Sequence, residues 1–162
     1  MLFRSGKFAY GSSGIGGASH LAVALFASMA GVELLHVPYK GGALAVTDLL
    51  GGRLSLMFAN LTTVQSHVKS GKVRALAIGT AQRSQVAPEL PTVAEAGVAG
   101  YEANNWNGVV APAATPRAVV ELLQREIRRV VAVPEMRTRL LQSAFEPVVD
   151  TPDAFQIGRA HV

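Results

Sequence analysis

The sequence predicts an α/β fold with a parallel sheet, and three observations lead to that prediction. Short apolar segments alternate with segments of helical length along much of the chain. The apolar segments show little polar alternation, which is typical of strands that are buried on both faces. Glycine-containing turns stand between strands and the helices that follow them. Alternation of this kind favours a parallel sheet with helices on both sides.

The first strand and the first helix flank a glycine-rich stretch, Tyr10–His20 (YGSSGIGGASH). The apolar segment Phe8–Tyr10 is predicted to be a short strand. The segment Ala18–Ala30 is predicted to be a helix, which Gly31 ends as a left-handed C-terminal cap. A strand, a glycine-rich turn and a buried helix therefore open the fold.

Further strands and helices follow in the same rhythm. The next strand, Leu34–Val37, ends at Pro38, because proline cannot continue a strand interior. The predicted elements after it are helix Ala43–Leu50, strand Leu54–Phe58, helix Leu61–Ser70 and strand Val73–Ile78.

The rest of the chain is predicted mainly from capping signals. Thr92 and Glu95 form a capping-box pattern that indicates a short helix ending at Gly97. The segment Ala99–Asn107 breaks the apolar pattern and is interpreted as a crossing between domains. The later predicted elements are strand Val109–Ala111, a helix from Thr115-Pro116 to about Val131, a helix from Pro134 to about Ser143, an edge strand Phe145–Val148 and a helix capped by Thr151-Pro152.

Both termini are predicted to be non-native. One sequencing-adapter sequence, read in both directions, would encode LFRS at 2–5 and IGRAHV at 157–162. The native part of a gene fragment is then expected at about 6–156, with tails at 1–5 and 157–162. The tails are left out of the fold prediction.

Composition excludes several classes of function. Lys plus Arg falls from 15 to 13 when Arg4 and Arg159 are set aside, against 11 acidic residues, and the basic residues are scattered. No nucleic-acid partner is therefore predicted. The absence of cysteine excludes disulfides, zinc–thiolate sites and thiol nucleophiles. No apolar run reaches the length of a membrane span, and the spacing of the four histidines indicates no metal site.

The glycine-rich stretch is a candidate anion site. Glycines let the backbone approach a ligand closely, and the N–H groups at the start of the helix face an anion. Ser12, Ser13 and Ser19 add hydroxyl donors. Asn60 follows a predicted parallel strand, at the sheet edge where α/β proteins usually bind ligands. A plain strand-to-helix turn with serine capping remains the alternative.

A second alternative is a fragment of an NAD(P)-binding oxidoreductase that uses the turn at Gly11–Gly17. GSSGIG at 11–16 resembles the cofactor turn of short-chain dehydrogenases. A dinucleotide site also needs an acidic residue at the end of the second strand, whereas Glu33 precedes that strand. The Tyr-x-x-x-Lys pair of those enzymes is absent. A regulatory effector-binding domain of similar fold is the third hypothesis.

Several separated motifs occur in a fixed order along the chain. They are YGSSG at 10–14, SHL at 19–21, HVPYKG at 36–41, DLLGG at 48–52, LMFAN at 56–60, GKVRALA at 71–77, PTVAEAG at 91–97 and APAATP at 111–116. As an ordered set they resemble the Bug-type (TctC) receptors of tripartite tricarboxylate transporters, and the likeness covers nearly all of 6–156.

The resemblance implies a two-lobed, hinged fold of the type II periplasmic-binding-protein class. Residues 6–99 would be the complete second lobe. Residues 100–156 would be the crossing and the C-terminal part of the first lobe, whose opening part would lie upstream. The implied protein is a monomeric periplasmic receptor, with its signal peptide absent from this fragment. It would capture a small di- or tricarboxylate without cofactor or catalysis and deliver it to membrane permease subunits.

The resemblance also implies the site residues. In that family backbone N–H groups, hydroxyls and bridging waters hold the ligand carboxylates. The positions carried over are Ser12, Ser13, Gly14, Gly16, Gly17 and Ser19, with Tyr39 and Asn60. Many members have Asp where Ala59 stands, so a simple dicarboxylate is favoured over an amino acid.

Overall fold

The computed structural model describes residues 8–154 and divides the chain into two compact units. The first unit extends to Asn105, and the second begins at Trp106. Both predicted tails lie outside the described residues. The lobe limit predicted after residue 99 refers to the two-lobed protein and stays a prediction.

The first unit is an α/β layer structure around a three-stranded parallel sheet. The strands are β1 (Ala9–Ser12), β2 (Leu35–Pro38) and β3 (Leu56–Met57), in the order β2-β1-β3. They alternate with helices α1 (Ala18–Ala30), α2 (Gly42–Leu50) and α3 (Leu61–Lys69). Tyr10 of the central strand stands opposite His36 on one side and Leu56 on the other. The predicted parallel α/β arrangement is confirmed.

Helix α1 begins and ends where the sequence predicts. Gly31 has φ 63° and donates its N–H to the carbonyl of Ala27, as a left-handed C-cap does. Val23 of this helix and Ala45 of α2 are fully buried, and Val46 of α2 is nearly so. The core of the first unit therefore lies where α1 and α2 pack on the sheet.

Gly11 of β1 is required by close packing. A Cβ atom at this position would lie 2.5 Å from Leu54 Cδ1 and 3.2 Å from the Cβ of Ala45. Both of those residues are buried, so neither has free space to move into. We expect Gly11→Ala to lower the free energy of unfolding by about 1–3 kcal/mol, the usual range for overpacking. Urea denaturation checks this, with Gly51→Ala as a control because its nearest contacts are ordinary ones at 3.5 and 3.6 Å; equal losses in the two variants would contradict it.

The strand predicted at Val73–Ile78 was wrong. Ile78 alone forms a bridge, with Thr92, and the segment before it has no strand neighbour among residues 8–154. Leu76 is 71% exposed, so this segment is not buried on both faces. The segment is apolar enough to predict a strand, but it does not join the three-stranded sheet.

The capping box at Thr92 and Glu95 is present, but it closes a turn and not a helix. Glu95 N–H donates to Thr92 Oγ1 at 3.0 Å, and Thr92 N–H donates to Glu95 Oε2 at 2.8 Å. The Thr92 N–H, with a smaller contribution from Arg83, holds the pKa of the Glu95 carboxylate below its usual value. Gly97, with φ 123°, ends the turn before a helix can extend.

The described part of the second unit, up to residue 154, contains two helices, α4 (Arg117–Ala132) and α5 (Pro134–Gln142), close to their predicted bounds. The strands predicted at Val109–Ala111 and Phe145–Val148 were wrong. Both segments lack a neighbouring strand in the described chain, and Val148 is 79% exposed. Residues 152–154, where a helix is predicted after Thr151, form a turn, and the rest of that predicted helix lies outside the described residues. None of the described helices is long and apolar enough to cross a bilayer.

Candidate functional site

Three helix N-termini meet the same edge of the sheet. Each of β1, β2 and β3 is followed by a helix, so α1, α2 and α3 all begin at the carboxyl ends of parallel strands. None of the three has an acidic residue in its first turn or a side chain that caps its N-terminus. Their positive dipole ends are thus not neutralised locally, which favours an anion at this edge.

The two serines of the β1–α1 turn bind each other. Ser13 N–H donates to Ser19 Oγ at 3.0 Å, and the two hydroxyl oxygens are 2.9 Å apart. One hydroxyl hydrogen is used between these oxygens, whichever serine donates it. The other hydroxyl hydrogen remains to donate to a ligand.

Gly14 and Gly16 shape the turn, but their amides are already used. They have φ 147° and 76°, values that favour glycine. Gly14 N–H donates to Ser12 Oγ at 3.3 Å, and Gly16 N–H donates to His20 Nδ1 at 3.0 Å. Gly17 N–H makes a long bond, 3.4 Å, to the carbonyl of Gly14. The glycines therefore shape the turn, and their N–H groups already have acceptors within it.

The free donors of the turn are the amides of Ile15, Ala18 and Ser19. Within residues 8–154 no acceptor lies against these three N–H groups. Ala18 and Ser19 are the first two residues of α1, where backbone amides have no partner within the helix. Ile15 is 78% exposed. Ile15 and Ala18 were missed by the sequence prediction, although the general geometry of a helix N-terminus could have indicated Ala18.

Ser12 lies inside the structure. Its side chain is fully buried, and Oγ lies 3.2 Å from the carbonyl oxygen of Gly14 and 2.7 Å from His36 Nε2. The hydroxyl is thus satisfied by the protein itself. Its role as a ligand contact stays a prediction, and the geometry favours a role in holding the turn.

Tyr39 contacts the β1–α1 turn through its backbone and not through its hydroxyl. Its N–H donates to the carbonyl of Ser12 at 3.1 Å, and Gly41 N–H donates to that of Ser13 at 3.2 Å, so the starts of α1 and α2 are joined. The Tyr39 hydroxyl donates to Asp48 at 2.7 Å, and Arg53 binds the other oxygen of that carboxylate. The bond to Asp48 raises the pKa of Tyr39, and the Tyr39 hydroxyl and Arg53 lower the pKa of Asp48.

Asn60 stands at the N-cap of α3 and is exposed. Its Oδ1 accepts a hydrogen bond from Asn105 Nδ2 at 3.0 Å. The Nδ2 group of Asn60 keeps its two donor hydrogens without an acceptor in the described part of the chain. Asn60 is therefore a further candidate donor at the sheet edge, and its ligand contact stays a prediction.

Two histidines that seemed unrelated in the sequence are stacked beside the turn. The rings of His20 and His36 have centroids 4.2 Å apart, and His36 stacks on Tyr10 at 4.8 Å. The sequence prediction missed this pair because the contact depends on the β1–β2 register. Within residues 8–154, no group of three or more His, Cys, Asp or Glu side chains is placed to hold a metal ion.

The first unit is thus a parallel α/β domain whose uncapped helix N-termini at one sheet edge favour an anion. Residues 3–159 match the family described as "Tripartite tricarboxylate transporter family receptor" (TctC). The chain belongs to this family.

Named relatives agree with this membership. The chain is 35% identical to protein BugT of Bordetella pertussis over 150 residues, which are 93% of this chain and 46% of BugT. A solved R. palustris protein with adipate superposes with a TM-score of 0.88 at 37% identity, covering 93% of this chain and 50% of that one. Periplasmic binding protein BugD gives a TM-score of 0.75 at 38% identity, with coverages of 86% and 47%. The chain spans about half the length of these relatives.

Two predictions are settled by the family. The predicted Bug-type (TctC) membership and the solute-binding-protein type of α/β fold are confirmed. The family consists of solute-binding receptors and not of enzymes, so the oxidoreductase alternative is set aside.

Proposed function

We propose that this chain is part of a periplasmic receptor that captures a small di- or tricarboxylate, or a related organic acid, for a tripartite tricarboxylate transporter. The observation that carries the proposal is the set of free amides at the start of α1, beside a hydroxyl pair with one free hydrogen. A carboxylate has oxygen acceptors for such donors, and charge-assisted bonds of this kind are among the stronger hydrogen bonds.

The carboxylate would sit against Ile15, Ala18 and Ser19. The amides of these residues would donate to its oxygens, and the Ser13–Ser19 hydroxyl pair would supply a further donor. Asn60 Nδ2 offers a neutral donor at the start of α3. Adipate in the R. palustris relative supports a carboxylate as the ligand. Family membership supports delivery to permease subunits, and the description of BugD as a periplasmic binding protein supports a periplasmic location. Action as a monomer is part of the same proposal.

The body of the ligand is expected to be uncharged. Ala59, directly before the N-cap of α3, offers no partner for a ligand ammonium, and α1, α2 and α3 carry no acid in their first turns. A dicarboxylate with a simple carbon chain fits these surroundings better than an amino acid does. No cofactor, metal or nucleic acid is part of this proposal.

The two-lobed organisation is part of the same proposal. Residues 6–99 would form the second lobe, and residues 100–156 would form the crossing and the C-terminal part of the first lobe. Lobe closure on the ligand would then be the functional step. The length of the relatives supports this reading, since each is about twice as long as this chain.

A ligand panel in thermal unfolding tests the function. Adipate, citrate, NAD⁺ and NADP⁺ are added separately to the 162-residue chain. A ligand at about 100 times its dissociation constant should add about 2.7 kcal/mol to stability. We expect a shift with a carboxylate and none with a dinucleotide. A shift with dinucleotide alone, or no shift with any carboxylate at saturating concentration, would refute the proposal.

A further inference from the structure

A stack of three rings lies against the turn at the start of α1. Tyr10 comes from β1, His36 from β2 and His20 from α1. The interplanar angles are 17° between Tyr10 and His36 and 14° between the two histidines, so the rings are nearly parallel. Each imidazole also has a hydrogen bond into the turn, which gives the stack a role beyond packing.

The bond from Gly16 determines the state of His20. Gly16 N–H can donate to His20 Nδ1, 3.0 Å away, only if that nitrogen carries a lone pair. The imidazole must therefore be neutral, with its proton on Nε2. A proton on Nδ1 would place two donors against each other and break the bond.

His36 acts on the turn through Ser12. Its Nε2 lies 2.7 Å from Ser12 Oγ, which in turn accepts the N–H of Gly14. The two histidines thus hold the amides of Gly14 and Gly16, while Ile15 N–H between them has no acceptor in the described chain. The orientation of the free Ile15 N–H therefore depends on how Gly14 and Gly16, on either side of it, are held.

Little in the surroundings would stabilise a charge on this stack. The elements β1, α1 and β2 contain no titratable side chain other than Tyr10, His20 and His36. Burial raises the pKa of Tyr10, so this neighbour stays uncharged in acid and at neutral pH. Burial, followed by the charge of His20, lowers the pKa of His36. Neither ring has a carboxylate partner to offset a positive charge.

We propose that His20 and His36 are positioning residues of the carboxylate turn, and that the turn keeps its binding geometry only while the imidazole of His20 is neutral and accepts the Gly16 N–H. This inference rests on the proposed function, because it assigns a pH limit to that same site. Ligand capture would then weaken in acid, because protonation of His20 Nδ1 removes the acceptor that holds Gly16. A directly bound imidazolium would have the opposite effect, since its charge would attract the anion.

The test is a pH series on the full 162-residue chain, with adipate as the probe. Amide NMR follows hydrogen exchange at Gly14 and Gly16, relative to the intrinsic rate at each pH, and the affinity for adipate is measured on the same samples. From about pH 7.5 to about pH 5, we expect protection at Gly16 and the adipate affinity each to fall about tenfold, because a proton on His20 Nδ1 removes the acceptor of the Gly16 N–H. Constant protection, or an affinity that rises in acid, overturns the proposal.

Two variants separate positioning from general acid destabilisation. His20→Asn keeps an acceptor near the Nδ1 position but does not titrate, so its Gly16 protection and adipate affinity should change little between the two pH limits, whatever their absolute values. His67→Asn, on α3, is the control and should follow the wild-type profile. A His20→Asn profile that falls like the wild type refutes the proposal.

The positioning role of the histidines and the carboxylate function of the turn can fail separately. If adipate does not bind at any pH but Gly16 protection is lost in acid only when His20 is present, the histidines hold the turn and the carboxylate function fails. If adipate binds equally well at both pH limits, the function stands and the positioning role is refuted. The unmodified chain supplies both readouts, so a variant that fails to fold does not decide the outcome.

Discussion

Replacement of Ala18 by proline is expected to weaken adipate binding roughly 10- to 100-fold while α1 stays folded. Ala18 is the first residue of α1, and its N–H has no acceptor within residues 8–154. Proline removes this one donor. A hydrogen bond to a charged group contributes about 1.5–3 kcal/mol, and each 1.4 kcal/mol corresponds to about a factor of ten in affinity.

The backbone at this position accepts proline. Proline is favoured at the first position of a helix because the N–H there has no helical partner. The residue before it must be extended, and Gly17 has φ −72° and ψ 163°. The chain already uses this device, since Pro134 begins α5.

Isothermal titration with adipate measures the effect, and circular dichroism checks the helix. Ala18→Gly is the matched control, because it also changes the side chain but keeps the N–H. We expect its affinity to stay within a few-fold of the wild type. Equal affinities for the proline and glycine variants would remove the amide of Ala18 from the site.

The sequence predicted those features of the first unit that depend only on neighbouring residues in the chain. Gly31 ends α1 at the predicted residue because a left-handed C-cap is a local requirement of the backbone. The strand prediction at Val73–Ile78 failed because a strand also needs a neighbour, and only Ile78 has one, at Thr92. An apolar segment does not show by itself whether a partner will be present.

The sequence located the turn that forms the candidate site, but it did not identify which N–H groups of the turn are free to donate. Glycines and serines located the turn, yet the amides of Gly14 and Gly16 are used within it. The acceptor for Gly14 is Ser12, which is fixed in turn by His36, 24 residues further along the chain. Such a contact depends on strand register, which short-range patterns do not specify.

Removal of the Tyr101 side chain is expected to cost the largest amount of stability, about 3–5 kcal/mol for Tyr101→Ala, as for other large buried aromatic residues. Tyr101 is 1% exposed and is the largest fully buried side chain in the described chain. Its ring packs against Phe26 of α1 at 6.2 Å and against Phe58 at 5.9 Å. Its hydroxyl donates to the carbonyl of Ala22 at 2.9 Å. The residue therefore fixes the segment before Asn105 to the first unit.

Tyr101→Phe separates the hydroxyl from the ring. It should lose only about 1 kcal/mol at neutral pH, the net value of one hydrogen bond. Burial raises the pKa of Tyr101 to about 12, against about 10 for an exposed tyrosine. The contribution of the neutral hydroxyl is thus complete below about pH 10 and is lost as the pH rises towards 12.

Urea denaturation at neutral pH and at about pH 11 measures both effects. The wild type should lose more stability than Tyr101→Phe on alkaline titration, because only the wild type must ionise a buried phenol at this position. Tyr39 and Tyr10 titrate in both proteins and cancel in the comparison. A loss of less than about 1 kcal/mol for Tyr101→Ala, or identical alkaline profiles for the wild type and Tyr101→Phe, would show that this residue does not hold the segment in place.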